Sequence, residues 1–351
     1  MKAPELKSIS PLNRLVFCCW LCFFSAGVVP AQASSEIGRA EKNDDRRRIF
    51  SLTLENDLVA GMDDNYTNGV RFSFLSAVND VPHFIRRTVK GSGLFPEDGK
   101  TRIEYTIGQN MYTPADIETR NPPLNDRPYA GWLYGSVGLV SENGRHLHQL
   151  ELKLGVIGPS SYADEAQTFI HRNLSNSPEP AGWHTQLPDE PVIQLTYQAS
   201  WPTYKKIGFP WLKADLMPTF SLAVGTVFDY LEGGFIVRLG NRLLDDYGPP
   251  KIQPSPPGSS YFASNSDLFN WYLFAGANGR LVAHNIFLDG TVFKDSRQVD
   301  KHYGVADLIV GVNMVIGATY RLTYTHVFRT PEFEGQSGLE RYGSLTLSVA
   351  F

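Results

Sequence analysis

Tyr342-Gly343-Ser344-Leu345-Thr346-Leu347-Ser348-Val349-Ala350-Phe351 is the stretch whose reading decides the fold. It alternates strictly. Leu345, Leu347, Val349 and Phe351 fall on one face of an extended strand, and Ser344, Thr346 and Ser348 on the other. A soluble sandwich would turn the apolar face inward. A membrane barrel would turn it to lipid and line its lumen with the small polar face. Periodicity alone leaves both open.

The same pattern recurs outward along the chain. Phe50, Leu52 and Leu54 alternate with Ser51, Thr53 and Glu55, and Val70, Phe72 and Phe74 with Arg71 and Ser73. Leu150, Leu152, Leu154 and Val156 alternate with Glu151 and Lys153. Glu55, Arg71, Glu151, Lys153, Arg238 and Arg321 all sit on the polar face. A dry sandwich core would make those charges very costly, whereas a lumen offers water and partners. Strands are predicted at 49–55, 70–74, 102–111, 132–140, 150–156, 191–201, 220–224, 235–239, 269–283, 305–316, 320–324 and 342–351. That total, about 12, is even, as single-chain outer-membrane barrels require. The fold class is therefore all-β: an antiparallel transmembrane β-barrel of residues 49–351. Turns near 141–145 and Gly317 read as periplasmic. The long segments 157–190 and 241–267 read as extracellular loops. Within the first, 161–172 carries no breaker and predicts a short helix, with Ser161 as its cap and Asp164 and Glu165 in its first turn.

The N-terminus reads as an export signal. Lys2, Lys7 and Arg14 precede an apolar run over 15–29, and Ala31-Gln32-Ala33 supplies small residues for cleavage. The run is short for a bilayer-spanning helix, which needs about 20 apolar residues. Residues 1–33 are assigned as signal peptide and the polar stretch 34–48 as a flexible leader. Cys18, Cys19 and Cys22 all lie in the signal, so the mature chain is expected to carry no disulfide or thiolate chemistry. The net charge of −4 offers no argument for a nucleic-acid partner. A mean hydropathy of −0.21 suits a barrel as well as a soluble protein, because only alternate residues meet lipid.

Several chemistries are excluded by motif. There is no G-x-S-x-G elbow, no H-E-x-x-H or paired-cysteine zinc site, and no phosphate or dinucleotide loop. Polar residues instead cluster where strands meet loops. Glu55-Asn56-Asp57 ends the first strand, and Asp63-Asp64-Asn65-Tyr66-Thr67-Asn68-Gly69 opens the second. Unbroken alternation would turn Asp57 and Thr67 toward the lumen across one hairpin. Oxygen donors gathered this way suit Ca²⁺, with Asp57 as a ligand; the same residues also make an ordinary solvated turn. His171, on the loop helix, has the chemistry of a general base and equally that of a surface residue. Arg127, in Asn125-Asp126-Arg127-Pro128-Tyr129-Ala130-Gly131-Trp132, could grip a phosphate or brace the lumen.

These motifs in this order resemble the outer-membrane lipid A 3′-O-deacylase family. The resemblance rests on Glu-Asn-Asp and Asn-Tyr-Thr-Asn-Gly within 51–74, the block 125–132, and Gly155-Val156-Ile157-Gly158-Pro159 followed by His171. Trp183 and the C-terminal strands fit it too, and a final strand ending on Phe351 resembles the signal read by barrel-assembly machinery. The resemblance implies a 12-stranded barrel in the bacterial outer membrane with its site near the outer leaflet. It implies Ca²⁺-dependent removal of the 3′-linked acyloxyacyl chain of lipid A in lipopolysaccharide. Asn56, Asp57, Thr67 and His171 match the site residues. The family's basic residue after the third strand falls in a loop that here reads Ile117-Glu118-Thr119-Arg120, which makes Arg120 its candidate. The implied mechanism has His171 activating water and Asn56 and Thr67 orienting the reactants. Arg127 or Arg120 would hold a lipid phosphate. Thr67 as covalent nucleophile is the alternative route. A non-catalytic pore or structural barrel, and an outer-membrane phospholipase, are the alternative functions.

Overall fold

The computed structural model describes residues 46–56, 65–91, 93–96, 98–144, 146–175, 177–201, 203–207, 211–241, 243, 246–249, 257–262 and 269–351. The expected signal peptide, 1–33, and nearly all of the expected leader, 34–48, lie outside the described residues. Arg48 exchanges two backbone hydrogen bonds with Phe351, each 3.0 Å, where the chain enters the first strand.

All the strands belong to one antiparallel sheet that closes on itself. They are β1 Ile49–Asn56, β2 Asn65–Leu75, β3 Lys100–Thr113, β4 Ala130–Glu142, β5 Leu147–Ile157 and β6 Glu190–Ser200. Then come β7 Lys213–Gly225, β8 Phe228–Gly240, β9 Phe269–Asn285, β10 Gly304–Ile316, β11 Tyr320–Arg329 and β12 Glu340–Ala350. Thr203–Ile207 continues β6 after a break and pairs with the same neighbour, β7, so the wall has twelve positions. The ring closes through β1–β12, with Leu52 opposite Leu347, and through β6–β7, with Tyr197 opposite Leu222. The last strand has the alternation expected of it: Ser344, Thr346 and Ser348 are buried inside, while Leu345 faces out.

The outer surface shows why the chain needs a membrane. Phe50, Phe72, Ile107, Leu154, Val224, Phe235, Leu273 and Leu308 are all exposed. An apolar band around a whole molecule is incompatible with water and fits hydrocarbon. Among the described residues no helix is long and apolar enough to cross a bilayer, so the strands make the crossing.

Ile49–Ala350, Ile316–Tyr320, Phe269–Ile316 and Gly240–Tyr272 all pair toward one end, where both termini of the barrel lie. Segment 241–267 leaves from this terminal end, not from the end expected for an extracellular loop. Its described parts fold into the lumen. Gln149 donates to Pro257 O, the Gly258 amide to Glu104 Oε2 at 2.8 Å, and Arg321 to Tyr261 O at 2.7 Å and Gly248 O at 3.0 Å. Asp246 pairs with Arg238, which also bonds Asp215, and accepts from Tyr272 Oη at 2.7 Å. Gly138 makes this approach possible, because a Cβ there would overlap Pro257. The charged lumen residues are thus satisfied largely by protein. Sequence pattern missed this because Pro- and Ser-rich chain reads as solvent loop wherever it sits.

The other, distal end is stoppered by a short helix, α3 Ile286–Asp289, whose Phe287 stacks on Tyr112 at 3.8 Å inside the barrel mouth. Two further helices are present among the described residues. One is α1 His83–Gly91 at the terminal end, which the sequence reading did not anticipate. The other is α2 Ala163–Ile170, within the helix expected over 161–172. Ser161 is not its cap: Ser161 lies in a preceding 3₁₀ turn and donates to Gly158 O at 2.6 Å, and Tyr162 occupies the cap position at φ 57°.

Candidate active site

The alternation of β3 locates the candidate site. Tyr105 and Ile107 face outward and are 46% and 57% exposed, yet Met111, on the same face, is 1% exposed. It is covered from outside the wall. Met111 packs with Tyr129, Ala163 and Trp183, so α2 and its loop lie on the outer surface of β3 and β4. Gly131 permits this, since a Cβ there would overlap Ser161 Oγ and Ala163 Cβ. Gln109 Nε2 donates to Ser161 O at 2.6 Å, and Trp183 Nε1 to Gln167 Oε1 at 2.7 Å, fixing the two ends of the loop to the wall and the helix.

Asn56 continues the outward face of Phe50, Leu52 and Leu54. It pairs with Asn68, which pairs with Met111. Directly opposed residues share a face. Asn56, Asn68 and Met111 therefore form an outward row running to the edge of α2. On β2 the register slips between Tyr66, opposite Tyr112, and Asn68, opposite Met111. Thr67 is the extra residue of this β-bulge, a device that re-aims side chains next to functional sites. The lumen-ward convergence expected of Asp57 and Thr67 needed unbroken alternation, and the bulge interrupts it at Thr67. The surface prepared here faces outward. Asp57, and the side chain of Thr67, lie outside the described residues.

His171 begins a π-helical turn, His171–Ser175, directly after α2. The residue is 3% exposed, and its Nδ1 lies 2.6 Å from Pro178 O. A carbonyl only accepts, so Nδ1 carries the hydrogen, and of the two neutral tautomers this one leaves the lone pair at Nε2. The segment supplying that carbonyl is anchored in turn. The Ala181 amide donates to Ile117 O at 2.8 Å, Tyr129 Oη donates to the same oxygen at 3.1 Å, and the Trp183 and Tyr129 rings lie 4.9 Å apart. Ile117 opens the loop that carries Arg120, so Arg120, which is exposed, belongs to the chain packed against the histidine's support. Asp116 shapes that loop by accepting from Thr119 Oγ1 at 2.5 Å, which draws its carboxyl below the usual range.

Arg127 is placed elsewhere. It is 1% exposed inside the wall, and Nη2 lies 2.5 Å from Glu332 Oε2. Burial alone would raise the Glu332 carboxyl, but Arg329 and Arg127 outweigh it and hold it down at about 2. Lumen bracing, one of the two readings open for Arg127, describes this arrangement; its guanidinium does not face lipid here. Among the described residues no three His, Cys, Asp or Glu side chains gather as metal ligands. Asp57, Asp63 and Asp64 lie outside those residues. Sequence reasoning missed the Pro178 carbonyl, the Gln167–Trp183 bond and the role of Gly131. None carries a motif, and only Trp183 stood out.

Comparison with known proteins agrees with this architecture. The sequence profile of the family described as outer membrane protein LpxR matches residues 15–351. Among solved structures, LpxR from Salmonella typhimurium superposes with a TM-score of 0.67 at 19% identity, covering 86% of this chain and 99% of its own. The β domain of the Bordetella autotransporter BrkA gives a TM-score of 0.40 at 10% identity, covering 86% of this chain and 97% of that one. No curated protein sequence matches significantly.

Proposed function

The chain belongs to the LpxR family of outer-membrane lipid A deacylases, which are ester hydrolases, and from that membership we propose that it cleaves the 3′-linked acyloxyacyl ester of lipid A with His171 as general base and Ca²⁺ as cofactor. The observation that carries this reading is the buried His171, its tautomer set by Pro178 O, on a helix clamped to the lipid-facing side of the wall. A substrate embedded in the outer leaflet reaches that face laterally, without entering a lumen.

The donor chemistry fits a hard cation. Asn56 and Asn68 are opposed on the outward face, and Asp57 follows Asn56 directly. Asp57 would hold Ca²⁺ together with neighbouring amide and carbonyl oxygens; when bound, the ion supplies a positive charge that polarises an ester carbonyl. The protein's own part runs as follows. His171 Nε2 takes a proton from water as the water oxygen attacks the carbonyl carbon. The imidazolium, steadied through Nδ1–H on Pro178 O, returns that proton to the sugar oxygen as the acyl C–O bond breaks. Asn56 and Thr67 orient the water and the ester. Arg120, exposed beside the support loop, holds a lipid phosphate.

The test is hydrolysis of lipid A by the purified barrel in detergent, followed by mass spectrometry. Acyl release should require Ca²⁺ and fall about 10²- to 10⁴-fold in His171→Ala. Undiminished release in chelator or in that variant would overturn the proposed mechanism, and an acyl adduct trapped on Thr67 would replace water by a covalent route. The pore alternative receives no support from a lumen that holds residues 246–249 and 257–262 and has Phe287 at its mouth.

A further inference from the structure

The histidine and the carbonyl that orients it are each followed in sequence by a charged residue, and those two residues also meet. His171 bonds Pro178; Arg172 bonds Glu179. Arg172 Nε donates to Glu179 Oε1 and Nη2 to Oε2, both at 2.7 Å, a bidentate fork. The hydrogen bond draws the Glu179 carboxyl below its usual range. Two rungs of equal span thus lie side by side, one buried and one on the surface.

The outer rung has no evident structural purpose. Both side chains are more than half exposed, and such pairs add little to global stability. The turn that carries Arg172 is π-helical, a conformation common at functional sites. Past it, the chain is next tied down at Ala181 and Trp183. Glu179, which follows Pro178 directly, ties the segment that carries this carbonyl back to Arg172.

We infer that Arg172 and Glu179 are positioning residues, a clasp that holds the Pro178 carbonyl on His171 Nδ1 and so keeps the base lone pair at Nε2. The inference rests on the general-base reading of His171. Neither residue touches substrate; they act through the histidine. Small displacements of a catalytic group cost disproportionately in rate, so a weak surface pair can matter here without mattering to folding.

The experiment uses the full barrel in detergent micelles with lipid A as substrate. Arg172→Gln and Glu179→Gln should each lower kcat about 10-fold with KM within about 2-fold. Nitrogen-15 spectra of the histidine rings should show the His171 Nδ1–H tautomer in the wild type and a mixture in both variants. The charge-swapped double variant, Arg172→Glu with Glu179→Arg, should restore both readouts. Wild-type kcat and ring signals in the single variants would refute the clasp while leaving His171 as base. Loss of kcat with no tautomer change, or without rescue by the swap, would also refute it. Full activity of His171→Ala would remove instead the reading on which the clasp stands.

Discussion

A guanidinium buried against a carboxylate responds asymmetrically to substitution, because removing one partner strands the other's charge in a low dielectric. Arg127 and Glu332 are such a pair, with side chains 1% and 8% exposed. Among the described residues, Arg127→Ala leaves Glu332 with only the longer, 3.6 Å salt-bridge contact to Arg329 and should therefore destabilise the detergent-solubilised barrel by up to roughly 3–5 kcal/mol. The pH dependence has a definite sign. Glu332 is depressed to about 2 in the fold. Its contribution is full above the unfolded carboxylate value and is lost as pH falls through about 2. The stability gap between wild type and Arg127→Ala should accordingly stay level from neutral pH to about 5 and close on further acidification. Were Arg127 instead a phosphate ligand, the variant would unfold like wild type and show only a raised KM. At this scale the sequence named the residue types and left their direction open. Which way Arg127 points depends on Glu332, more than two hundred residues away, and no local pattern encodes that.

The helix α2 is an element whose position, more than its existence, shapes the candidate site. Its helical character was readable from a breaker-free run with Asp164 and Glu165 at its start. Its seat on the outer wall depends on Gly131, a residue indistinguishable in sequence from any other strand glycine. Gly131→Val should leave the barrel folded, since the change falls on an outward position, but push Ser161 and Ala163 off the wall. Activity should drop about 10²-fold, in line with the cost of misplacing a catalytic group. Limited proteolysis within 158–189 should accelerate. A variant with unaltered turnover and cleavage would mean that α2 does not need this contact. Elements were otherwise read unevenly. Strand faces were legible because period 2 survives any register. The bulge at Thr67, the break after Ser200 and helix α1 were not, because each depends on neighbours or on a few residues without period.

For the whole molecule, a closed lumen sets the physical expectation. Among the described residues, 246–249 and 257–262 occupy the terminal end, anchored on Arg321, Gln149 and Glu104, and Phe287 on Tyr112 occupies the distal mouth. In planar bilayers the protein should give no stepwise conductance. Replacing residues 242–266 by a short Gly-Ser linker should unblock the lumen and produce discrete openings. Steady conductance by the unaltered protein would restore the pore reading and show that the packing inside is transient.

The sequence by itself determined the barrel: strict alternation, with charges on the polar face, has no other low-energy solution in a long chain that exposes so many apolar side chains. It also determined where polar chemistry concentrates, at 55–57, 63–69, 125–132 and His171, since these residue types break the strand pattern. Only the tertiary structure decided that α2 sits on the outer face of the wall, that Arg127 is buried against Glu332, and that the described parts of segment 241–267 enter the lumen instead of facing the exterior. The reason is physical. Facing along a strand is a local, two-residue property fixed by backbone geometry. Close approach, ion pairing and lumen filling depend on residues brought together across the closed sheet, and their energies exist only once the ring has formed.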